Sequence, residues 1–212
     1  MPVKRLAQAK SRLAPHMSEA DRREVATALL EDALTLCDSV GFLDWWIVTA
    51  DDEVESRARA RGFSTIPDDG DGLNASLTKA VAVLAEKGSR SVTIVPADIP
   101  LAWAGDLQDL HDTGATSDMV LVPAEGDGGT NGLFLTPPDL IQPLFGEASL
   151  QEHLAEAERR RLRCALLNLP RLALDIDTLE DAQTFLQRAV HPSHTLEALR
   201  ALGLPAAPSE TA

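Results

Sequence analysis

Hydrophobic residues repeat at helical spacing in a long segment near the start of the chain. Val25, Leu29 and Leu36 lie four and seven positions apart, which places them on one face of a helix. Ser18 precedes this segment and a carboxylate, Asp21, comes three residues later, which is the pattern of a capped helix N-terminus. The pattern predicts a helix over residues 19–37.

Short apolar runs rich in β-branched and aromatic residues alternate with helical patterns along the rest of the chain. The runs predict strands over residues 45–49, 63–66, 91–95, 119–122, 132–135, 163–167 and 172–176. The helical patterns lie over residues 73–86, 101–112, 138–144, 149–161 and 179–189, with a further helix start at the acidic stretch 51–53. Strands separated by helices are typical of βαβ units. We therefore predict an α/β fold with a mostly parallel sheet covered by helices on both faces.

The alternation indicates one domain with a short tail. The chain has 212 residues, a length that one domain with a single core can accommodate. Residues 1–189 carry the alternating elements and are predicted to form that domain. Residues 190–212 hold a weak helical pattern at 196–202 followed by Pro, Ala and Ser, so we predict a tail that is weakly helical or frayed.

Composition excludes several classes of partner and location. Asp and Glu total 33 against 19 Lys and Arg, a net charge of -14, and this charge repels a nucleic-acid backbone. The sequence has neither an apolar run long enough to span a membrane nor an apolar signal segment at its start. Two cysteines without metal-ligand spacing fit a reducing compartment. We predict a cytoplasmic protein that binds neither nucleic acid nor membrane.

The first 17 residues are basic although the whole chain is acidic. They hold Lys4, Arg5, Lys10 and Arg12 and no acidic residue. One interpretation is a cationic loop that neutralises phosphates, with Lys10 and Arg12 directed at a leaving group. The alternative is a solvated basic face on a short helical turn.

Three aspartates follow predicted strands, and in a parallel α/β sheet ligands bind beyond the carboxyl ends of the strands. Asp98 lies between two prolines after the strand at 91–95. Asp175 and Asp177 are two residues apart in an extended run, so both side chains leave the same face. Carboxylates are the ligands that Mg²⁺ prefers, and two acids on one face repel unless a cation lies between them. The alternative is that these residues close turns or cap the next helix.

Two glycine-rich loops are further candidates, and other common site motifs do not occur. Thr130 lies in the loop 125–132, where glycines let backbone N–H groups approach an anion; a plain β-turn is equally compatible. Gly72 and Asn74 enter a predicted helix, where they could meet a nucleotide or cap the helix. The sequence lacks a Walker loop, a dinucleotide-binding glycine motif, a nucleophile elbow and zinc-ligand spacing.

Six segments in order resemble one known family, the 2-phospho-L-lactate guanylyltransferases. Bacterial members of this family act on phosphoenolpyruvate or 3-phospho-D-glycerate in the biosynthesis of the deazaflavin coenzyme F-420. The resemblance runs from residue 2 to about residue 185, and it implies a single-domain nucleotidyltransferase fold similar to that of molybdopterin guanylyltransferases. It is carried by the segments 3–15, 72–74, 96–100, 129–131, 145–149 and 174–178.

The resemblance also implies roles for particular residues. It implies two Mg²⁺ ions held by Asp98, Asp175 and Asp177, with Asp98 also in the catalytic set beside Lys10 and Arg12. The acceptor would meet Thr130, Gly146 and Ser149. We assign Lys4, Gly72 and Asn74 to the nucleotide.

The implied reaction moves GMP from GTP onto the phosphate of a small phospho-carboxylic acid and releases pyrophosphate. Arg outnumbers Lys 15 to 4, which favours a GC-rich bacterial genome and therefore 3-phospho-D-glycerate or phosphoenolpyruvate over 2-phospho-L-lactate. Two alternatives stay open: a related nucleotidyltransferase with another nucleotide or acceptor, and a non-catalytic nucleotide-binding relative. A homodimer and hand-over of the product to the next enzyme of the pathway also remain open.

The start of the chain departs from the family pattern. Relatives carry several apolar residues before the basic motif, and these form the first, central strand. Here only Met1, Pro2 and Val3 precede the motif. Because an interior strand that is cut short leaves neighbouring backbone groups unpaired, we expect the natural start to lie upstream.

Overall fold

Six strands divide between two sheets in this computed structural model, which describes residues 1–126 and 128–204. The strands are β1 (Trp46–Thr49), β2 (Ser64–Pro67), β3 (Val92–Ile94), β4 (Met119–Pro123), β5 (Thr130–Leu135) and β6 (Cys164–Leu166). β1 and β2 pair in parallel, and the other four have the order β3-β5-β4-β6. β6 is parallel to β4, whereas β5 is antiparallel to both of its neighbours. The predicted α/β class is confirmed, with a more evenly mixed sheet than the alternation indicated.

Helices connect most of the strands. They are α1 (Glu19–Ser39), α2 (Asp52–Ala60), α3 (Leu73–Glu86), α4 (Ala104–Gly114), α5 (Ser149–Arg160), α6 (Pro170–Ala173), α7 (Leu179–Arg188) and α8 (His194–Ala201). Two short 3₁₀ turns, Leu6–Gln8 and Ser11–Leu13, precede α1. The predicted cap of α1 is present, because Ser18 and Asp21 bond reciprocally. Among the described helices, none has the length and apolar composition required to cross a membrane.

Alternate residues of β4 pack against different helices. Val120 and Val122 share a buried cluster with Leu107 of α4. Met119 and Leu121 point the other way, into a cluster with α3 and α5. Because successive side chains of a strand face opposite sides of the sheet, a continuous apolar run is what a doubly covered strand requires.

A bulge interrupts the pairing of β4 with β5. Val122 lies opposite Gly132 and Pro123 lies opposite Thr130, so Asn131 is an extra residue on β5. Gly132 is required by close approach, since a Cβ there would lie 2.9 Å from Cγ2 of Val122. The bulge therefore places Thr130 and Asn131 in a fixed register at the start of β5, beside the carboxyl ends of β3 and β4.

The first three residues pair with β1. Val48 N–H donates to the carbonyl oxygen of Met1 at 2.9 Å, and Val3 N–H donates to that of Val48 at 2.9 Å. This parallel bridge, centred on Pro2, leads directly into the basic segment. Because this bridge lies beside β1, Lys4 and the residues after it lie near the carboxyl end of that strand.

Two predicted elements are wrong. Residues 138–144 form no helix, because Pro143 can neither donate the required backbone bond nor avoid the carbonyl one turn earlier. Residues 172–176 form no strand. Instead Pro170 begins the short helix α6, where its fixed backbone angle suits the first helical position, and an extended segment follows.

The segment after residue 189 includes a helix docked on α1. Backbone N–H groups of His194 and Thr195 donate to the carboxylate of Asp32, both at 2.9 Å. Leu196 and Leu199 of α8 are buried. The weak helical pattern is therefore a packed helix, and the final predicted stretch, residues 205–212, lies outside the described residues.

Candidate active site

Three aspartates converge where β3 ends. Asp98 follows β3, while Asp175 and Asp177 lie in the extended segment after α6. Ile176 N–H donates to the carbonyl oxygen of Asp98 at 3.0 Å and fastens the two segments together. One oxygen from each carboxylate lies within 4.8 Å of the other two. The sequence prediction that these three acids share one site agrees with this placement, although the strand assumed for two of them is absent.

Lys10 enters this cluster from the basic segment. Its Nζ lies 2.6 Å from Oδ2 of Asp98 and 3.1 Å from Oδ1 of Asp177, and only 6% of its side chain is exposed. Burial alone would lower the pKa of Lys10, but the two carboxylates outweigh burial and raise it. The backbone of Lys10 is left-handed at φ 58°, a conformation that costs a residue with a Cβ about 1 kcal/mol. The fold therefore holds this ammonium in place against local strain.

Asp175 is the one carboxylate of the three that does not pair with Lys10. In the part of the chain that the structure describes, Asp175 forms no ion pair. Burial, with the nearby charges of Asp98 and Asp177, raises the pKa of Asp175 to about 6, although a hydrogen bond from the side-chain amide of Asn131 opposes the rise. Three crowded carboxylates with one ammonium leave excess negative charge among hard oxygen donors. This donor set fits a divalent cation such as Mg²⁺.

The cluster forms one side of a cavity of about 490 Å³, a size typical of ligand sites. Both glycine-rich loops and the basic segment reach this cavity. Of the residues predicted from sequence, it is lined by Lys4, Lys10, Arg12, Gly72, Asp98, Thr130, Gly146, Ser149, Asp175 and Asp177. Arg12 is about half exposed at the rim, 3.7 Å from Asp177. The structure thus brings together all but one of the predicted site residues.

Asn74 is the predicted residue that lies outside the cavity wall. Its Nδ2 donates to the carbonyl oxygen of Phe145 at 2.9 Å, and Phe145 N–H donates to its Oδ1 at 2.8 Å. Both ends of this amide are therefore committed to the backbone next to Gly146. Asn74 ties α3, which begins beside Gly72, to the opposite side of the cavity.

That opposite side is built from neutral groups. Thr130 at the start of β5 and Ser149 at the start of α5 are both buried. Ser149 Oγ donates to Oγ1 of Thr130 at 3.3 Å, and Ser149 N–H donates to the carbonyl oxygen of Gly146 at 3.2 Å. Two hydroxyls and a glycine thus form a wall opposite the charged cluster.

Two residues of the site were not predicted. Asn131 donates from Nδ2 to Asp175 and to the carbonyl oxygen of Ala173, each at 3.0 Å. His153, fully buried, lies with Nδ1 3.1 Å from Oγ1 of Thr130. Its spacing was a usable signal, because His153 comes four residues after Ser149 and so shares a helix face with it. Asn131 had only its position beside Thr130 to indicate a role.

The fold and the site agree with the nucleotidyltransferase class that the sequence predicted. Carboxylates and a buried lysine gather near the end of β3, and a wall of glycine and hydroxyl groups faces them across a cavity of ligand size. The family described as "Guanylyl transferase CofC like" matches residues 1–212, and the chain belongs to this family.

Curated relatives are similar over most of their length. A phosphoenolpyruvate guanylyltransferase of Chloroflexus aggregans is 35% identical over 185 residues, which cover 85% of this chain and 92% of that protein. A 2-phospho-L-lactate guanylyltransferase of Methanothermobacter thermautotrophicus is 34% identical over 211 residues, 99% of this chain and 92% of that protein. The family resemblance read from the sequence is confirmed.

A solved structure shares the fold. It is a protein from Desulfovibrio desulfuricans described as a nucleotide-diphospho-sugar transferase, with a TM-score of 0.76 and 21% identity. The match covers 95% of this chain and 94% of the other. At this identity the likeness concerns architecture, and it agrees with the predicted nucleotidyltransferase fold class.

Asp175→Asn is expected to stabilise the metal-free protein at about pH 7.5. The pKa of Asp175 is raised from 3.8 to about 6, so the folded state binds a proton at this carboxylate more readily than the unfolded state does. Above about pH 6 the ionised carboxylate therefore lowers the stability of the folded protein. Removing the charge should raise the free energy of unfolding by at most about 3 kcal/mol, measured by urea unfolding in the presence of a chelator. The gain in the free energy of unfolding should shrink as the pH falls from about 6 to about 4.

Asp177→Asn is the matched control. Lys10 outweighs burial and lowers the pKa of Asp177, so the same substitution two residues away should destabilise the protein. A loss of stability in Asp175→Asn as large as that in Asp177→Asn would contradict the charge imbalance described for the cluster.

Proposed function

We propose that this chain transfers GMP from GTP to the phosphate of a small phospho-carboxylic acid, with release of pyrophosphate, in coenzyme F-420 biosynthesis. The observation that carries the proposal is that the charged cluster and the hydroxyl wall line the same cavity and face each other across it. Family membership supports it, as do the names of relatives that act on phosphoenolpyruvate and 2-phospho-L-lactate. We favour phosphoenolpyruvate or 3-phospho-D-glycerate as the acceptor.

Asp98, Asp175 and Asp177 would hold Mg²⁺, two ions in our proposal. Their oxygens lie close enough to share a cation, and burial, with the charges of Asp98 and Asp177, raises the pKa of Asp175, a charge that a bound cation would offset. Bound Mg²⁺ would supply neutralisation of phosphate charge and polarisation of the α-phosphate. Asn131 would keep Asp175 aimed at the cluster through its 3.0 Å hydrogen bond.

The basic residues would receive the polyphosphate. Lys10 holds the carboxylates in order and presents positive charge inside the cavity. Among the described residues, the carboxylates nearest to Arg12 lie 3.7 Å away, so this arginine at the rim can neutralise the departing pyrophosphate. Lys4 and Gly72 line the same side, and we assign them to the nucleotide.

The hydroxyl wall would bind the acceptor. Thr130 and Ser149 offer hydroxyl groups, and Gly146, at φ 143°, adopts a conformation that a side chain would disfavour. Ser149 also lies at the N-terminus of α5, where the helix dipole favours an anion. These features suit the carboxylate or phosphate of a three-carbon acid.

The reaction needs no nucleophile from the protein. A phosphate oxygen of the acid attacks the α-phosphorus of GTP, the bond from that phosphorus to the bridging oxygen breaks, and pyrophosphate leaves with the bond electrons. The chain's contribution is to hold two polyanions close together in the right orientation. This role explains why a strongly acidic protein concentrates basic residues in one segment.

Pyrophosphate release tests the proposal directly. The purified protein is incubated with Mg²⁺ and each of the four ribonucleoside triphosphates, in turn with phosphoenolpyruvate, 3-phospho-D-glycerate, 2-phospho-L-lactate and a sugar phosphate. We expect turnover with GTP and a phospho-carboxylic acid only. Turnover with the sugar phosphate alone would indicate another nucleotidyltransferase, and nucleotide binding without turnover would indicate a non-catalytic relative.

Asp98→Asn should lower turnover at least about 100-fold, because a charge that organises the reacting phosphates contributes on that order. The measurement is pyrophosphate release at saturating substrates across a range of Mg²⁺ concentrations. Asp112→Asn, on the exposed face of α4, is the control and should retain wild-type turnover. If Asp98→Asn keeps more than about a tenth of wild-type turnover, the ligand role is wrong.

Ser149→Ala should weaken binding of the phospho-acid acceptor and leave binding of GTP unchanged. Ser149 Oγ donates to Oγ1 of Thr130, so the substitution removes one of the donors that leave the Thr130 hydrogen available to the acceptor. A hydrogen bond to a charged group contributes about 1.5–3 kcal/mol, so weakening it should raise the KM for the phospho-acid by up to about tenfold. The KM for GTP should stay within about twofold, as should both constants in Ser64→Ala, an exposed serine on β2. An equal rise in both constants would remove Ser149 from the acceptor side.

A further inference from the structure

His153 is a buried histidine that the proposed chemistry does not use. It lies on α5 with no exposed surface, and both ring nitrogens have hydrogen-bond partners. The ring of Phe145 meets it edge-on, with 5.6 Å between ring centroids. The imidazole is therefore fixed in position from three sides.

The partners of the two nitrogens determine where the proton lies. Leu144 N–H donates to Nε2 at 3.2 Å, so Nε2 must be the acceptor. A neutral imidazole with an accepting Nε2 carries its proton on Nδ1. Burial lowers the pKa of His153 to about 4, so the ring is neutral at the pH of a cell interior. Nδ1–H then donates to Oγ1 of Thr130 at 3.1 Å, with the backbone carbonyl oxygen of Ser149, one helical turn earlier, as a second acceptor.

These contacts leave the hydroxyl of Thr130 with one unused hydrogen-bonding group, its own hydrogen. Its oxygen accepts from Nδ1–H of His153 and from Oγ of Ser149, which lies 3.3 Å away. A hydroxyl has two lone pairs and one hydrogen, so both acceptor sites are used and the hydrogen remains to be donated. Thr130 lines the cavity, so this hydrogen is available to a ligand that binds there.

We propose that His153 is a positioning residue that makes Thr130 an obligatory hydrogen-bond donor toward an anionic oxygen of the acceptor. The assignment rests on the proposed function for the identity of the acceptor. A donor locked in this way favours a carboxylate or phosphate oxygen and disfavours an ammonium group, which would leave the hydroxyl hydrogen facing another hydrogen. His153 thus contributes to selection of an acidic acceptor without touching it.

The proton position can be measured without substrate. Long-range ¹H–¹⁵N correlation spectra of the labelled wild-type protein at about pH 7 should show His153 protonated at Nδ1 and bare at Nε2. The signal is assigned by its loss in His153→Leu, or in His153→Asn if the first variant does not fold. Protonation at Nε2, or at both nitrogens, would overturn the proposal whatever the enzyme's substrate is.

A double-mutant cycle tests whether His153 acts through Thr130. His153→Leu should raise the KM for the phospho-acid at least about tenfold and leave the KM for GTP within twofold. His153→Asn keeps a donor near Thr130 and should recover most of this loss. In a Thr130→Val background, His153→Leu should add less than a twofold further change, because the hydroxyl that it orients is already absent.

Controls separate this idea from a structural role and from the proposed function. His191→Leu, at an exposed histidine outside the cavity, should behave as wild type. If His153→Leu raises both KM values, or raises the acceptor KM equally in the Thr130→Val background, His153 is merely structural and the proposal fails. If the wild-type protein turns over no phospho-acid, the proposed function fails and the acceptor selection falls with it.

Discussion

The placement of three carboxylates around one buried ammonium is the constraint on which the rest of the site depends. Lys10 pairs with Asp98 and Asp177 at 2.6 and 3.1 Å and leaves Asp175 without a counter-charge. Each partner arrives from a different part of the chain, since Lys10 follows the N-terminal bridge and Asp98 follows β3. The ion pairs of Lys10 and the backbone hydrogen bond from Ile176 N–H to the carbonyl oxygen of Asp98 both oppose the repulsion among the acids.

The two sides of the cavity are stabilised by different kinds of interaction. Charges organise the side that holds the aspartates, whereas the hydroxyl wall is supported by a chain of neutral hydrogen bonds that runs from Leu144 through His153 to Thr130. Asn74 joins the sides through Phe145. A shift of the loop beside Gly146 would therefore also move the start of α3, so the two sides of the cavity are physically connected.

The sequence was informative where a local pattern decides the structure. The α/β class followed from alternating patterns, and spacing placed Asp175 and Asp177 correctly even though they lie in no strand. The helix predicted at 138–144 failed because its apolar pattern was given more weight than Pro143. Asn131 was missed because its partner Asp175 lies 44 residues away, a relation that only tertiary packing establishes. His153 was missed because its spacing from Ser149 was given no weight, and its contact with Thr130, 23 residues away, forms only in the folded chain.

The bulge in β5 has a consequence for changes in chain length. Thr130 belongs to the hydroxyl wall, and Asn131, the extra residue, donates a hydrogen bond to Asp175, so neighbouring residues contribute to both sides of the cavity. Deleting one residue here would convert the bulge to regular pairing and pull one of the two side chains out of place. Insertions and deletions in this hairpin should therefore accumulate in the turn before Thr130, while the first three positions of the strand keep a constant length.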